Sequence, residues 1–112
     1  MPDLKQLERQ YQASLAAKQV ELRRAFDALC DEDAGGAQAA QLHQLLHRLS
    51  GSAGTYGYLE IGQKAQVLAR QWRHWLEQPA TDRPVAWRLC ADQTIAVADL
   101  LEAMGQAADK AG

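Results

Sequence analysis

The chain is 112 residues long, the size of one domain, since domains commonly run about 100–150 residues. Its 47% apolar and 23% charged residues are the balance of a soluble globular domain and exclude intrinsic disorder. Twelve Lys+Arg against fourteen Asp+Glu give a net charge of −2, so there is no basic surplus for a phosphate backbone or an anionic lipid surface, which argues against nucleic-acid and membrane partners.

Glycine and proline punctuate four helical segments in a single domain spanning 1–112. The first runs from Pro2 to about Cys30 and carries Leu4, Leu7, Tyr11, Leu15, Leu22, Phe26 and Leu29 on one face, the recurrence of an amphipathic helix. Pro2 suits a first-turn position, and the run Asp31 to Gly36 ends the segment. The second runs from Ala37 to Tyr56, with Leu42, Leu45, Leu46, Leu49 and Ala53 toward the core and Gly57 as its stop. The third runs from Leu59 to Glu77, with Ile61, Ala65, Leu68, Trp72 and Trp75 on one stripe. After a break from Pro79 to Pro84, the fourth runs from Val85 to about Ala107, with Trp87, Ala91, Thr94, Ala98 and Leu101 in register and a frayed tail from Gln106. No segment alternates as a strand does. Ala, Leu and Gln outnumber Val and Ile, which favours helix. Four amphipathic helices with short joints predict an all-α, antiparallel up-down-up-down four-helix bundle.

No stretch approaches the roughly 18 apolar residues of a membrane span. Met1 to Gln10 is charged and lacks an apolar stretch, so no secretory signal is read. Cys30 and Cys90 form neither a disulfide framework nor a CxxC motif and are expected to be small core residues. A reduced, cytoplasmic setting follows as the expectation.

The second segment conflicts with its own helicity. His43, His47, Ser50, Gly51, Ser52 and Gly54 fall within twelve residues, although a mid-helix glycine costs about 1 kcal/mol relative to alanine. Such conflicts collect at functional places. With Leu42 at zero on a helical wheel, the core leucines and Ala53 lie within about 60°, Ser50 near 80°, His43 near 100°, Gly54 near 120°, His47 near 140° and Gly51 near 180°. His47 therefore stands at the edge of the buried stripe over a strip with almost no side chains. Imidazole titrates near neutrality, and its neutral nitrogen is a nucleophile. His43, one turn earlier, is read as a solvated histidine or a partner contact. His74, between Trp72 and Trp75, is expected at the core edge without a role, and Arg48 is expected in solvent.

The stretch from His47 to Gly57, followed by Ile61, Ala65 and Leu68, resembles the histidine-containing phosphotransfer (HPt) domain of bacterial phosphorelays. Leu49, Gly51, Ser52, Ala53 and Gly57 stand at the family's offsets from the histidine. The resemblance implies that His47 accepts a phosphoryl group from a receiver-domain aspartyl phosphate and passes it to the Asp of another receiver, without kinase activity. It implies response-regulator receiver domains and a hybrid sensor histidine kinase as partners, with Mg²⁺ supplied by the receiver and no cofactor of the chain's own; a monomer is expected because a bundle of this size needs no partner to close its core. Gly51 and Gly54 would clear room for phosphate and partner. The family's usual Lys is Ser50 here, and a frequent Gln on the third helix is Ala69; Gln66 and Arg73, which flank Ala69, are expected to cover the missing contacts.

Two other readings compete. His43 and His47, spaced i, i+4, could share a Zn²⁺, but Gln44 stands where an HExxH motif has Glu and no third ligand is near. Alternatively, the chain keeps the HPt fold as a non-catalytic module that binds receivers or kinases without being phosphorylated. No Ser-His-Asp set, carboxylate pair or phosphate loop argues for a hydrolase.

Overall fold

In the computed structural model, which describes residues 3–31 and 34–110, the protein is all-helical. Five helices follow one another: α1 (Leu4–Ala28), α2 (Gly36–Thr55), α3 (Leu59–Glu77), α4 (Ala86–Asp92) and α5 (Thr94–Asp109). None of them is long and apolar enough to cross a membrane. The predicted position of Pro2, and Glu32 and Asp33 of the predicted linker, lie outside the described residues. So does the very end of the predicted frayed tail; the rest of that tail is helical to Asp109, and Ala107 is buried.

The helix ends have local causes. The Asp3 carboxylate accepts the Gln6 amide at 2.7 Å and opens α1, a side-chain cap for one of the donors a helix start leaves bare. At the end of α2 the Gly57 amide donates to the Gly54 carbonyl and the Tyr58 amide to the Ala53 carbonyl, at 3.2 and 2.8 Å. This is a Schellman pair, and it needs Gly57 at φ +86°. After α3, Arg83 lies over the Trp75 ring and donates to the Leu76 and Gln78 carbonyls, satisfying acceptors that the helix end exposes.

One core joins all five helices. α2 packs most extensively on α3, and α1 on α5, with α3–α5 and α1–α2 contacts closing the set. Leu15, Leu29, Leu42, Leu46, Leu68, Trp72, Leu100 and Met104 are fully buried. α3 lies close against α2 because Gly62 has no side chain: a Cβ there would meet the Ser50 carbonyl oxygen at 3.2 Å.

The predicted stripes hold in α2 and α3 and fail at the ends of the chain. Leu4 is 67% exposed and Leu7 half-buried, so α1 joins the core only from Tyr11. The predicted single fourth helix is divided at Gln93, between α4 and α5, where ψ is −2°. Trp87, Ala91, Thr94 and Ala98 face out, while Ala86, Cys90, Gln93, Val97, Leu100 and Met104 face in. The cause is one polar residue: the buried Gln93 amide oxygen accepts the Trp72 indole N–H at 2.7 Å, and its amide nitrogen donates to Gln71 at 2.6 Å. A buried indole requires an acceptor. Supplying it from α4–α5 fixes which face of that segment turns inward.

Candidate functional site

The α2 surface with the glycines faces a shallow cleft of about 310 Å³ between α2 and α3, lined by His43, His47, Ser50 and Gly51 from one helix and Gln66, Ala69, Arg70 and Arg73 from the other. Six of the seven residues singled out in the sequence thus meet at one place. The seventh, Gly54, is exposed on α2 but does not line the cleft. Arg70 also lines the cleft; the helical wheel, on which Gln66 and Arg73 flank Ala69, does not mark it.

His47 is exposed, at the edge of the buried stripe where the wheel places it, whereas His43, read as solvated or as a partner contact, is half-buried. Their rings stack 6.1 Å apart and 19° from parallel. Burial first, then the neighbouring His47 and Arg73, lower the His43 pKa below the ordinary imidazole value; each of these opposes a second positive charge. His43 is therefore held neutral beside His47 near pH 7. A Cβ at Gly51 or Gly54 would touch nothing. Unlike Gly62, neither glycine is required by packing within this chain.

Arg73 donates to Glu77 at 2.9 Å, one turn along α3. Arg70 has no ion-pair partner among the described residues. The same cleft is thus lined by an exposed imidazole and by a guanidinium with no ion pair among the described residues; a guanidinium presents a planar fork of donors suited to an anion. Ala69 is buried beneath it, and its small side chain leaves the floor open.

Other motif residues serve the fold. Ser52 hydrogen-bonds the Tyr11 hydroxyl at 2.7 Å, on the opposite side of α2 from the cleft. Tyr11 also packs against Tyr56 and Tyr58, with ring centroids 4.4 and 5.8 Å away. Leu49, Ala53, Ile61, Ala65 and Leu68 are core. His74, expected at the core edge, is exposed; it lines a separate concavity of about 520 Å³ with Trp75 and Arg88, which shares only Arg70 with the cleft. Cys30, expected in the core, is exposed, whereas Cys90 is buried. No group of three or more His, Cys, Asp or Glu among the described residues could hold a metal ion. In comparisons with known proteins, no family model, no curated protein and no solved structure matches the chain.

Proposed function

We propose that the protein is a phosphorelay intermediate of the HPt type, in which α4 and α5 together act as the fourth helix of an antiparallel up-down-up-down bundle and His47 carries the phosphoryl group. The observation that carries this reading is the exposed His47 imidazole in one cleft with the bare Gly51 and with Arg70, which has no ion-pair partner among the described residues. A neutral imidazole nitrogen, Nε2, attacks the phosphorus of a receiver's aspartyl phosphate. The P–N bond forms as the P–O bond to the Asp breaks, and the Asp leaves as carboxylate. Transfer to a second receiver reverses these steps, with a carboxylate oxygen as nucleophile and His47 as leaving group.

This chemistry needs in-line placement and charge neutralisation more than a large catalytic apparatus. The receiver supplies Mg²⁺. On this chain, Arg70 and Arg73 meet phosphate oxygens, Ser50 donates one hydrogen bond, and Gln66 borders the site. The bare surface at Gly51 and Gly54 admits the partner's loops. A cytoplasmic monomer, meeting receiver domains and a hybrid sensor histidine kinase, fits this role.

The test is incubation with a phosphorylated receiver and Mg²⁺, beside a His47→Gln variant. The expected result is acid-labile, base-stable label on the wild type alone. Label on the variant, or none from several receivers that still bind, would overturn the reading. The second outcome would instead identify a docking module of the same fold, with Ser50 and Ala69 as the substitutions responsible.

A further inference from the structure

We propose that Cys30 and Cys90 form a reversible intramolecular disulfide that ties the end of α1 to α4, and that a low-molecular-weight disulfide can drive its formation. The two sulfurs lie 2.9 Å apart although 60 positions separate them in the chain. Both thiols converge on one acceptor, the Phe26 carbonyl, each at 3.7 Å. A disulfide bond is about 2.05 Å long, so closure requires less than 1 Å of approach. These are the chain's only two cysteines, and the pair shares no residue with the His47 cleft, so the inference does not depend on the phosphorelay reading.

The two thiols differ in access, and that difference orders the chemistry. Cys30 is exposed and meets the oxidant first; Cys90 is 1% exposed and cannot. The Cys30 thiolate attacks one sulfur of a small disulfide such as oxidised glutathione, releasing one thiolate and leaving a mixed disulfide on Cys30. Cys90 then loses its proton to solvent and attacks the Cys30 sulfur, releasing the second thiolate. Two protein thiols are oxidised by two electrons, and one small disulfide is reduced to two thiols. Burial pushes the Cys90 thiol up to about 12, which slows the second step, while the short sulfur–sulfur distance raises its effective concentration.

The test uses the reduced, folded protein with oxidised glutathione, followed by intact mass, free-thiol count and thermal melting. The expected product is monomeric, lighter than the reduced protein by two hydrogens, free of thiols and reverted by dithiothreitol. Its proteolytic digest contains residues 30 and 90 in one linked peptide. Its melting temperature rises by roughly 10 °C, because the link closes a long loop in the unfolded chain. The Cys30→Ser variant, altered at an exposed position, shows neither the mass change nor the rise. A persistent glutathione adduct on Cys30 with the Cys90 thiol free, a dimer linked through Cys30, or no reaction would each overturn the proposal.

Discussion

At the scale of single residues, the cleft holds its charges unequally. Arg73 is committed to Glu77 and both groups are exposed, so that pair contributes little to stability but does compete with any incoming anion. Arg70 faces the same cleft with no such competitor among the described residues. Under the phosphorelay reading, Arg70→Ala therefore slows phosphoryl transfer to His47 about tenfold, the effect of losing one charge-assisted hydrogen bond. Arg73→Ala has a smaller effect. Stopped transfer reactions with a phosphorylated receiver measure both, and equal rates for the two variants would refute the ordering. His43 gives a second readout that is independent of function. Because burial leads the causes of its lowered pKa and the His47 and Arg73 charges follow, an NMR titration shows its midpoint below 6.5, and Arg73→Gln moves it upward. The folded state then binds fewer protons at His43 than the unfolded state does, so this contribution to stability is full above about pH 6.5 and is lost as the pH falls toward the folded midpoint.

At the scale of helices, four glycines near the α2–α3 junction have four different environments. Gly57 is required by the turn: its φ of +86° is a conformation in which a side chain costs about 1–2 kcal/mol, and Gly57→Ala lowers stability by that amount. Gly62 is required by packing, since a Cβ would press on the Ser50 carbonyl oxygen; Gly62→Ala loses about 1 kcal/mol through overpacking despite its better helix propensity. Gly54 has open space above it, so Gly54→Ala gains about 0.5–1 kcal/mol. Urea denaturation of the three variants separates the three cases, and a stabilised Gly62→Ala would refute the packing argument. Gly51 is as open as Gly54 but lines the cleft. Packing within the described residues does not require a glycine at either position; under the phosphorelay reading, the bare surface at Gly51 is where a receiver docks.

The bounds of α3, the buried faces of α2 and α3 and the exposed edge carrying His47 follow from helical periodicity alone, because those two helices lie along one another with a regular apolar stripe. The inward face of α4–α5 does not. Trp87 is the largest apolar residue of that segment and draws the register toward itself, yet it is 42% exposed. Gln93 reads as a surface residue, yet it is buried because Trp72, on another helix, needs its oxygen. A hydrogen bond between distant segments leaves no trace in local periodicity. The same holds for Arg70, whose place in the cleft depends on how α3 is turned against α2, and for Cys30, whose exposure depends on where α1 ends.

At the scale of the whole molecule, the dimensions are 50 × 22 × 20 Å with a radius of gyration of 14.9 Å, above the roughly 13 Å of a rounder domain of this length. The excess reflects an elongated bundle: α1, 25 residues long, spans about 38 Å of the 50 Å axis. Besides the apolar packing of Leu15, Leu22 and Phe26, two side-chain contacts tie the α1 segment to the rest of the bundle, Tyr11–Ser52 and, just past the helix end, Cys30–Cys90. Both contacts involve a group that holds its proton more tightly in the folded protein: burial raises the Tyr11 phenol, and raises the Cys90 thiol from 9.0 to about 12. The sign is the same for both. Where the unfolded chain has released these protons and the folded chain has not, the unfolded state binds fewer, so stability falls as pH rises. For Cys90 the loss begins near pH 9 and continues toward pH 12; for Tyr11 it begins near pH 10. Thermal melts of the reduced protein through this range are therefore expected to show a steady fall in melting temperature. A Cys90→Ala variant starts from a lower melting temperature, since it loses buried packing, but declines less steeply between pH 9 and 10. The disulfide-linked form has no thiol to titrate, so it shares that shallower slope while starting from a higher melting temperature. Parallel slopes for the reduced, oxidised and variant proteins would show that burial of the Cys90 thiol does not govern the alkaline limit of this fold.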